Sequence, residues 1–376
     1  MQMAIRIIDA YTGLMKYSEL AAGWSIDVSL LDHTSESTFP IEGKLDKVGV
    51  NDLLIAHPVG LGDIKTSAIP KDLWYGAPKN LQYSVYYGKV TGQTYADEIT
   101  TISTQSYLGY FDVEVALGDS TDVVSYFGNA YDIWIRAFLK KYYPVTLYYD
   151  DSLNTITQFS RVAYEGSLSD ALEDSFKQYQ IYPKIDGHFV RTDGLVQLQS
   201  TLVVPNSTDT VVIDSRSYSD YSIYISPKNK DIYNIVLMTT PSYSGPLSYY
   251  YMNTSGVVKS YDPSGMGSSN KNNIPSDIAG QYPKQKAILY DGTETTLSMA
   301  STAAAELSLS DYSHEISLST DKDFYDWVQR LGQYAVIRDE NGSYNSILSG
   351  WSWSDGDNMK LSFGNVKTSL KSILRK

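Results

Sequence analysis

The sequence predicts a β-rich α+β protein in which two barrel-like β domains flank a small α+β unit. Short segments that alternate apolar and small polar residues recur toward both ends of the 376-residue chain, and the strongest amphipathic helical patterns lie in its middle. The chain also contains 33 tyrosines but only 9 phenylalanines, and tyrosine favours half-buried strand positions. We expect domains at residues 1–111, 112–215 and 216–376.

The first domain is predicted to consist of strands and turns. Residues 24–32 and 110–118 alternate apolar and polar side chains, as expected of strands with one buried face. Residues 57–64 and 69–80 are rich in glycine and proline, which is typical of loops.

A first helix is predicted at the start of the middle unit. Apolar residues three and four positions apart define one helical face: Val124, Phe127, Tyr131, Trp134, Phe138 and Tyr142. Asp119 and Asp122 precede it and Pro144 follows it, so the helix is predicted between them. A strand is expected over 144–151.

A second helix is predicted over residues 168–180. Its apolar stripe comprises Leu168, Leu172, Phe176 and Tyr179. Ser167 and Asp170 resemble a capping box in which Asp replaces Glu. Hairpins are predicted to follow, with Asp-Gly turns at 186–187 and 193–194.

The last domain returns to a strand pattern at 221–226 and 233–240. Residues 262–277 form a polar stretch that predicts a surface loop. Further on, the sequence predicts these elements: a helix over 298–309, a strand over 314–320, a short helix capped by Gly332, a three-stranded meander over 334–364, and a basic amphipathic helix over 365–376. The last helix is expected either to dock on a partner or to close the second barrel.

Charge and composition exclude several classes of protein. The formal charge is −13 and the pI about 4.7, which disfavours a protein that grips nucleic acid, because phosphate contacts dominate that affinity. No cysteine is present, which excludes disulfides and thiolate chemistry. No apolar run is long enough to predict a membrane span or a signal peptide.

No residue pattern predicts a reaction centre, a cofactor site or a metal site. The four histidines are scattered singly, and we interpret them as ordinary surface or hairpin residues: His33, His57, His188 and His314. Asp150 and Asp151 are interpreted as a turn signal. Asp170, Glu173 and Asp174 are interpreted as a solvated helix face. We therefore expect no catalytic residue and no enzymatic activity.

Three other stretches have structural interpretations. Residues 265–271 lack the Gly-Lys-Ser/Thr ending of a phosphate-binding loop, and residues 355–358 lack the ligand spacing of a calcium loop and fit a hairpin turn. Residues 249–251, three tyrosines, fit a strand. Trp351 and Trp353 share one strand face, which favours core or interface packing.

The order of these elements resembles a known family. The residues that carry the resemblance are 167–186, 233–258 and 359–366, together with the alanine-rich helix and the strand over 314–320. In this order they resemble the siphophage baseplate hub or tail-associated (tail-tip) proteins, which are similar to the T-even baseplate hub and the base of type VI spikes. The tyrosine-rich, cysteine-free composition suggests a phage of Gram-positive, for example lactococcal, bacteria.

The resemblance implies a virion protein made in the host bacterial cytoplasm. It implies a homotrimer whose six similar barrels close the distal end of the tail and open for genome ejection after host cell attachment. The implied partners are the distal tail protein, the tape-measure protein and receptor-binding proteins of the baseplate, with DNA present only in transit. Loop 262–277 is a candidate for contacts in the lumen.

Two alternatives remain open at this point. A receptor- or carbohydrate-binding tail module would use exposed aromatic residues, and a cell-wall hydrolase would need a reactive carboxylate. The family's C-terminal hydrolase extension is not expected, because the sequence ends at Lys376 directly after the hub portion.

Overall fold

The computed structural model describes residues 2–59, 84–128, 145–156, 159–161, 163–192, 195–206, 209–224, 235–240, 248–253, 257–261, 275–278, 285–290, 298–308, 315–321, 324–340 and 342–364. These residues form a β-rich structure with few helices, as the sequence predicts. Within the described residues, no helix combines the length and the apolarity needed to span a membrane.

The described residues of the first part of the chain form seven strands. Their bounds are β1 Met3–Ile8, β2 Met15–Ala21, β3 Ser25–Ser29, β4 Glu36–Glu42, β5 Leu53–Pro58, β6 Tyr86–Ala96 and β7 Ile99–Ser106. Six of them pair in a closed circuit, in the order β1, β2, β4, β7, β6, β5 and back to β1. β3 also pairs with β4, through Ser25 and Thr38.

Alternating side chains direct one face of this circuit inward. In β4, Ser37, Phe39 and Ile41 are buried while the residues between them are less so, which is the period-two pattern of a strand. β1 and β5 are buried along their whole length. Burial of these apolar side chains is the main source of stability in this region.

The middle of the chain contributes helices and short strands. Their bounds are a 3-10 helix Tyr107–Phe111, β8 Glu114–Leu117, α1 Val123–Gly128, β9 Val145–Tyr149, a 3-10 helix Asp151–Thr155, β10 Tyr164–Ser167, α2 Leu168–Tyr179, β11 Tyr182–Thr192 and β12 Leu195–Val203. β8 pairs antiparallel with β10, and β12 lies between antiparallel β11 and parallel β9.

Helix α2 confirms the prediction for residues 168–180. All four residues of its predicted apolar stripe are buried. The helix ends where Gln180 adopts a left-handed conformation with φ +58°. The predicted capping box is wrong: Ser167 makes no capping bond, and its hydroxyl donates to Asp112 Oδ1 at 2.7 Å.

The described residues of the last part of the chain form ten strands and two helices. Their bounds are β13 Val211–Asp214, β14 Ser219–Tyr224, β15 Ile235–Thr239, β16 Ser248–Met252, β17 Val258–Tyr261, β18 Gln285–Leu289, α3 Met299–Ser308, β19 Glu315–Thr320, α4 Phe324–Gln329, β20 Tyr334–Asp339, β21 Gly342–Ser354 and β22 Met359–Gly364. A 3-10 turn, Ser215–Ser217, separates β13 from β14.

The predicted meander is confirmed as β20, β21 and β22. β21 is the longest of the three, with 13 residues. Its first half pairs with β20, and its second half lies between β22 and β3 of the first part. The β3–β21 pairing places strands from both ends of the chain in one 13-stranded sheet.

A smaller sheet stands apart from the large one. It has the strand order β17, β16, β15, β18 and is covered by α3. Its own apolar cluster contains Val236, Met238, Ala303 and Leu307. This unit lies in the chain between β14 and β19, which pair with each other in the large sheet.

Some predicted elements differ from the structure. Asp186 and Gly187 lie inside β11, where a register shift between Ile185 and Phe189 accommodates them without a hairpin turn. Tyr110 and Phe111 belong to a 3-10 helix and not to a strand. Several predicted features lie wholly or mostly outside the described residues: loop residues 60–64 and 69–80, the first helix beyond Gly128, the Asp-Gly turn at 193–194, loop 262–277 up to residue 274, His314, and the helix over 365–376.

Candidate functional site

His33 connects the first part of the chain to helix α2. It lies in the turn between β3 and β4 and is 8% exposed, so its interpretation as a surface histidine is wrong. Its backbone N–H donates to Glu173 Oε1 at 2.7 Å, and its ring Nδ1 lies 2.6 Å from the same oxygen. One carboxylate of α2 therefore fixes both the backbone and the ring of this turn.

The acidic face of α2 is only partly exposed, which corrects its interpretation as solvated: the side chains of Glu173 and Asp174 are 14% and 22% exposed. Glu173 and Asp174 both lie near Lys177, at 3.8 and 3.9 Å. Burial raises the pKa of Asp174, while the positive charges of Arg161 and Lys177 act in the opposite direction. The polar side of this helix therefore makes contacts within the protein, through Glu173 with His33 and through both carboxylates with Lys177.

The charges around His33 favour its protonated form. Burial by itself lowers the pKa of His33, but the hydrogen bond and charge of Glu173, with the charges of Asp112 and Asp170, raise the pKa above its ordinary value. The geometry and the direction of this shift therefore favour an ion pair between His33 and Glu173, whose side chains are 10% and 14% exposed.

This cluster is also the one place, within the described residues, where three potential metal ligands converge. Ligand atoms of His33, Asp170 and Glu173 lie within 4.8 Å of one another. However, Glu173 Oε1 already accepts both hydrogen bonds from His33. A metal bound there would have to displace the imidazole proton that lies between His33 and Glu173. We therefore interpret the cluster as a structural contact between the β3–β4 turn and α2.

His57 is buried as well, which corrects its interpretation as a surface or hairpin residue. It lies in β5, opposite Ala4 of β1, and is close to the charge of buried Arg6. Burial, and then the positive charge of Arg6, lower the pKa of His57 to about 4. Of the other two histidines, His188 lies in β11 and His314 lies outside the described residues.

Aromatic rings pack around the pairing of β3 with β21. The rings of Trp24 and Trp353 meet edge to face at 5.0 Å, and Phe324 stacks on Trp353 at 4.3 Å. Trp353 Nε1 donates to the backbone oxygen of Asp357 in the turn that follows β21. Trp351 is buried too, so of the predicted alternatives, core or interface packing, the structure shows core packing for this pair.

Close backbone packing accompanies these rings. A Cβ atom at Gly350 would lie 2.8 Å from the backbone oxygen of Val28, so this position of β21 requires glycine. Pairing, stacking and close approach together make β3–β21 a tightly built joint.

A small cavity lies where the three parts of the chain meet. Its volume of about 40 Å³ accommodates about three water molecules, well below the size of a ligand pocket. Its walls include Val28, Tyr86, Tyr107, Tyr182, Leu331 and Trp351. Tyr107 uses its hydroxyl to donate to Pro183 O at 2.6 Å, so this region also serves to connect elements.

The end of the predicted polar loop is fastened to the small sheet. Asp277 accepts hydrogen bonds from Tyr251 of β16 and Lys259 of β17, both at 2.9 Å. Ile278 adds a bridge to Asn253. The predicted contacts of loop 262–277 in a lumen concern mainly residues outside the described set.

No protein-family model matches the sequence, and no curated protein is similar to it. Solved structures of phage proteins do share its fold. A chain of the phage P2 baseplate, in its activated conformation with Ca, has 12% identity and a TM-score of 0.50, over 98% of this chain and 100% of that chain.

Two prophage tail proteins are similar to the same extent. The 43 kDa tail protein of prophage MuSo2 from Shewanella oneidensis has 11% identity and a TM-score of 0.52, over 97% of this chain and 99% of that chain. Tail protein gp18 from Listeria monocytogenes EGD-e has 10% identity and a TM-score of 0.50, over 99% and 97%. The chain therefore has the fold of phage tail and baseplate proteins along nearly its whole length.

Proposed function

We propose that this protein is a structural component of a phage virion and forms the trimeric hub that closes the distal end of the tail. The observation that carries the proposal is the fold, which matches three tail or baseplate proteins over at least 97% of this chain. The connecting character of its buried polar contacts supports the proposal. No catalysis, cofactor or metal is assigned to it.

In this proposal, the two barrels of such a hub are assigned to two parts of the large sheet. The closed circuit of β1, β2, β4, β7, β6 and β5 is the first barrel of the proposal. The second barrel is built around β20, β21 and β22, with β13, β14 and β19 beside them. The domain division at 1–111, 112–215 and 216–376 belongs to this proposal, and three copies present six barrels in a ring.

The proposed ring joins the distal tail protein and the tape-measure protein, and it carries receptor-binding proteins in the baseplate. DNA passes through it at infection of a Gram-positive host. A net charge of −13 disfavours retention of that DNA. Loop 262–277 is the proposed gate, and the segment over 365–376 is a proposed docking segment.

Light scattering tests this proposal directly. We expect a mass of three chains, about 126 kDa from 41.9 kDa each, for the protein alone or mixed with the distal tail protein. A one-chain mass under both conditions would refute the hub.

Binding of carbohydrate has less support from the structure. Trp351 and Trp353 are both 3% exposed, so neither ring offers a face for stacking on a sugar. A hydrolase would need a carboxylate poised in a cleft; in the described cluster of His33, Asp170 and Glu173, the carboxylate of Glu173 is instead hydrogen-bonded to His33.

A further inference from the structure

Two meanders of the large sheet match strand for strand. In β5–β6–β7 and in β20–β21–β22, the first strand pairs only with the first half of a long middle strand. Both middle strands carry a register shift against the third strand, between Val90 and Gly92 in β6 and between Leu348 and Gly350 in β21. A glycine follows the irregularity in both. A register shift followed by glycine therefore occurs at the equivalent position of the middle strand in both meanders.

The match continues across the neighbouring strands. β4 lies antiparallel beside β7, and β19 lies antiparallel beside β22. Beyond them lie β3 and β14. Across four strands the paired residues are, in the first part, Gly92, Ser103, Thr38 and Ser25, and in the last part, Gly350, Ser362, Ser317 and Ser222.

The sequence repeats at the outermost of these strands. Residues 25–29 are SIDVS and residues 222–226 are SIYIS. The topology alone aligns Ser25 with Ser222, so the sequence match is independent support for the equivalence of β3 and β14. It also extends by sequence two positions beyond β14.

The two halves differ in what lies on the outer edge of the middle strand. In β21, residues Gly350–Ser354 pair with β3. In β6, the corresponding edge over residues 91–96 has no partner strand among the described residues, and neither has the outer edge of β14. Tyr95 is 51% exposed, whereas Trp353 at the equivalent position is 3% exposed. Within its described residues, one copy thus contains one complete pairing, β21 with β3. It also contains the two edges, of β6 and of β14, that a second pairing of the same kind would need.

Gly92 is unexplained within a single copy. A Cβ atom at Gly350 would meet the backbone of β3 at 2.8 Å, whereas a Cβ at Gly92 would meet nothing within 4 Å. The backbone at Gly92 is not left-handed, so the conformation does not require glycine either. A strand continuing along this edge past Gly92, as β3 continues past Gly350, would supply the missing reason; by the sequence repeat the matching positions are 225 and 226, which lie outside the described residues.

We propose that the outer edge of β6 binds strand β14 of a second copy of this chain, antiparallel, just as β21 binds β3 within one copy. Ser222 then lies opposite Ala96 and Ile223 opposite Tyr95, because Ser25 lies opposite Ser354 and Ile26 opposite Trp353. The two edges are different, so the contact is head to tail and generates a ring when the rotation closes. The closure at three copies rests on the proposed function; the strand pairing does not.

Engineered cysteines test the register. Ser25 Oγ and Ser354 Oγ lie 3.2 Å apart, so cysteines at the equivalent positions should form a disulfide between copies. The chain has no cysteine of its own. Ala96→Cys and Ser222→Cys, made in separate chains and then mixed under mild oxidation, should yield a covalent two-chain species. Ser25→Cys with Ser354→Cys is the positive control and should link within one chain.

Filling the glycine position tests the edge by a second route. Gly92→Val should keep the circular dichroism and unfolding of wild type under dissociating conditions but raise the dissociation constant for self-association at least tenfold. Gly118→Val is the matched control, because a Cβ there also meets nothing within 4 Å and its backbone is not left-handed. It should leave the association unchanged.

The outcomes separate this joint from the hub. A wild-type trimer that forms no Ala96–Ser222 disulfide and is unaffected by Gly92→Val overturns the joint and leaves the trimer. A disulfide between copies in an assembly of another size supports the joint and overturns the count of three. A one-chain mass with no cross-link overturns both.

Discussion

A single side-chain contact of Glu173 organises the boundary between the first part of the chain and helix α2. Its oxygen accepts from the backbone and is paired with the ring of His33, two atoms of one turn. Removing one partner of such a pair leaves the other charge without compensation, which destabilises the fold. The pair therefore holds the turn in one orientation relative to α2. The turn between β3 and β4 depends on a residue 140 positions away.

We expect Glu173→Gln to destabilise the protein more at pH 6 than at pH 9. The pKa of His33 is raised in the folded state, so its contribution is complete below the unfolded value near 6.5 and is lost as the pH rises through the folded value. A loss of about 1–3 kcal/mol in the free energy of unfolding is expected at pH 6. Urea unfolding at both values measures it, with Glu165→Gln, an exposed carboxylate, as the control. An equal loss at both pH values would contradict the ion pair.

His57 should produce the opposite dependence on pH. Its pKa is about 4 in the folded state and near 6.5 when unfolded, so stability is present above pH 6.5 and is lost as the pH falls toward 4. The loss over this range is about 3 kcal/mol. In His57→Gln the decline measured by urea unfolding between pH 6.5 and 4 should be smaller by about that amount. His33→Gln should change the curve above pH 6.5 instead, and identical curves for wild type and His57→Gln would exclude the assignment.

At the scale of elements, β21 is the strand that joins the two ends of the chain in one sheet. Half of it belongs to a local meander, and the other half binds β3. The aromatic contacts of Trp353 and the close approach at Gly350 lie in that second half. Its length therefore allows one strand to take part in two different pairings.

Gly350→Val should weaken this joint in every copy. The added Cβ would lie 2.8 Å from a backbone oxygen of β3, and backbone cannot yield as a flexible side chain does. We expect a loss of about 2 kcal/mol or more in the free energy of unfolding, measured by thermal or urea unfolding. Gly118→Val, with open space around its Cβ, should change it by less than about 0.5 kcal/mol. Equal stability of the two variants would contradict the close approach.

Local patterns predicted many of the elements but not the long-range contacts. The alternation over 334–364 was sufficient for β20, β21 and β22, because each strand pairs with its neighbour in the chain. The apolar stripe of α2 was sufficient to predict that helix, because helical periodicity is also a local pattern. By contrast, Asp-Gly at 186–187 is a strong turn signal that the pairing of β11 with β12 overrides.

The contacts around His33 and Trp353 mark the limit of prediction for the candidate site. Nothing local to residues 170–174 distinguishes a solvated acidic face from one that receives a turn from far away. The burial of Trp353 was predictable from its strand face, but its contacts with Trp24 and Phe324 come from distant segments. The repeat SIDVS and SIYIS is visible in the sequence, yet only the topology shows that the two segments are equivalent.

At the scale of the whole molecule, the described residues form two separate apolar cores. The larger spans all three parts of the chain, whereas the smaller contains four buried residues of the small sheet and α3. A small core provides less apolar burial and opens at lower free energy.

Native-state hydrogen exchange should resolve these two cores. We expect amides of β15 and β16 to exchange through a local opening at least tenfold faster than those of β4 and β22, whose strands lie inside the large sheet. Ala303→Gly, which weakens only the small core, should accelerate exchange in β15 and leave β4 unchanged. Uniform exchange in both sheets would show that the molecule opens as one unit.

The β3–β21 pairing also has a consequence for synthesis on the ribosome. Ser29 and Gly350 are paired, although about 320 residues separate them. At about 5–20 residues per second, the edge of β3 waits on the order of 15–60 seconds for its partner to be translated. During that interval the nascent chain exposes the edge of β3 that will later pair with β21. The same edge can pair with β21 of a neighbouring chain on the same polysome. Nascent chains of this protein are thus expected to need shielding by a chaperone until residue 354 has emerged.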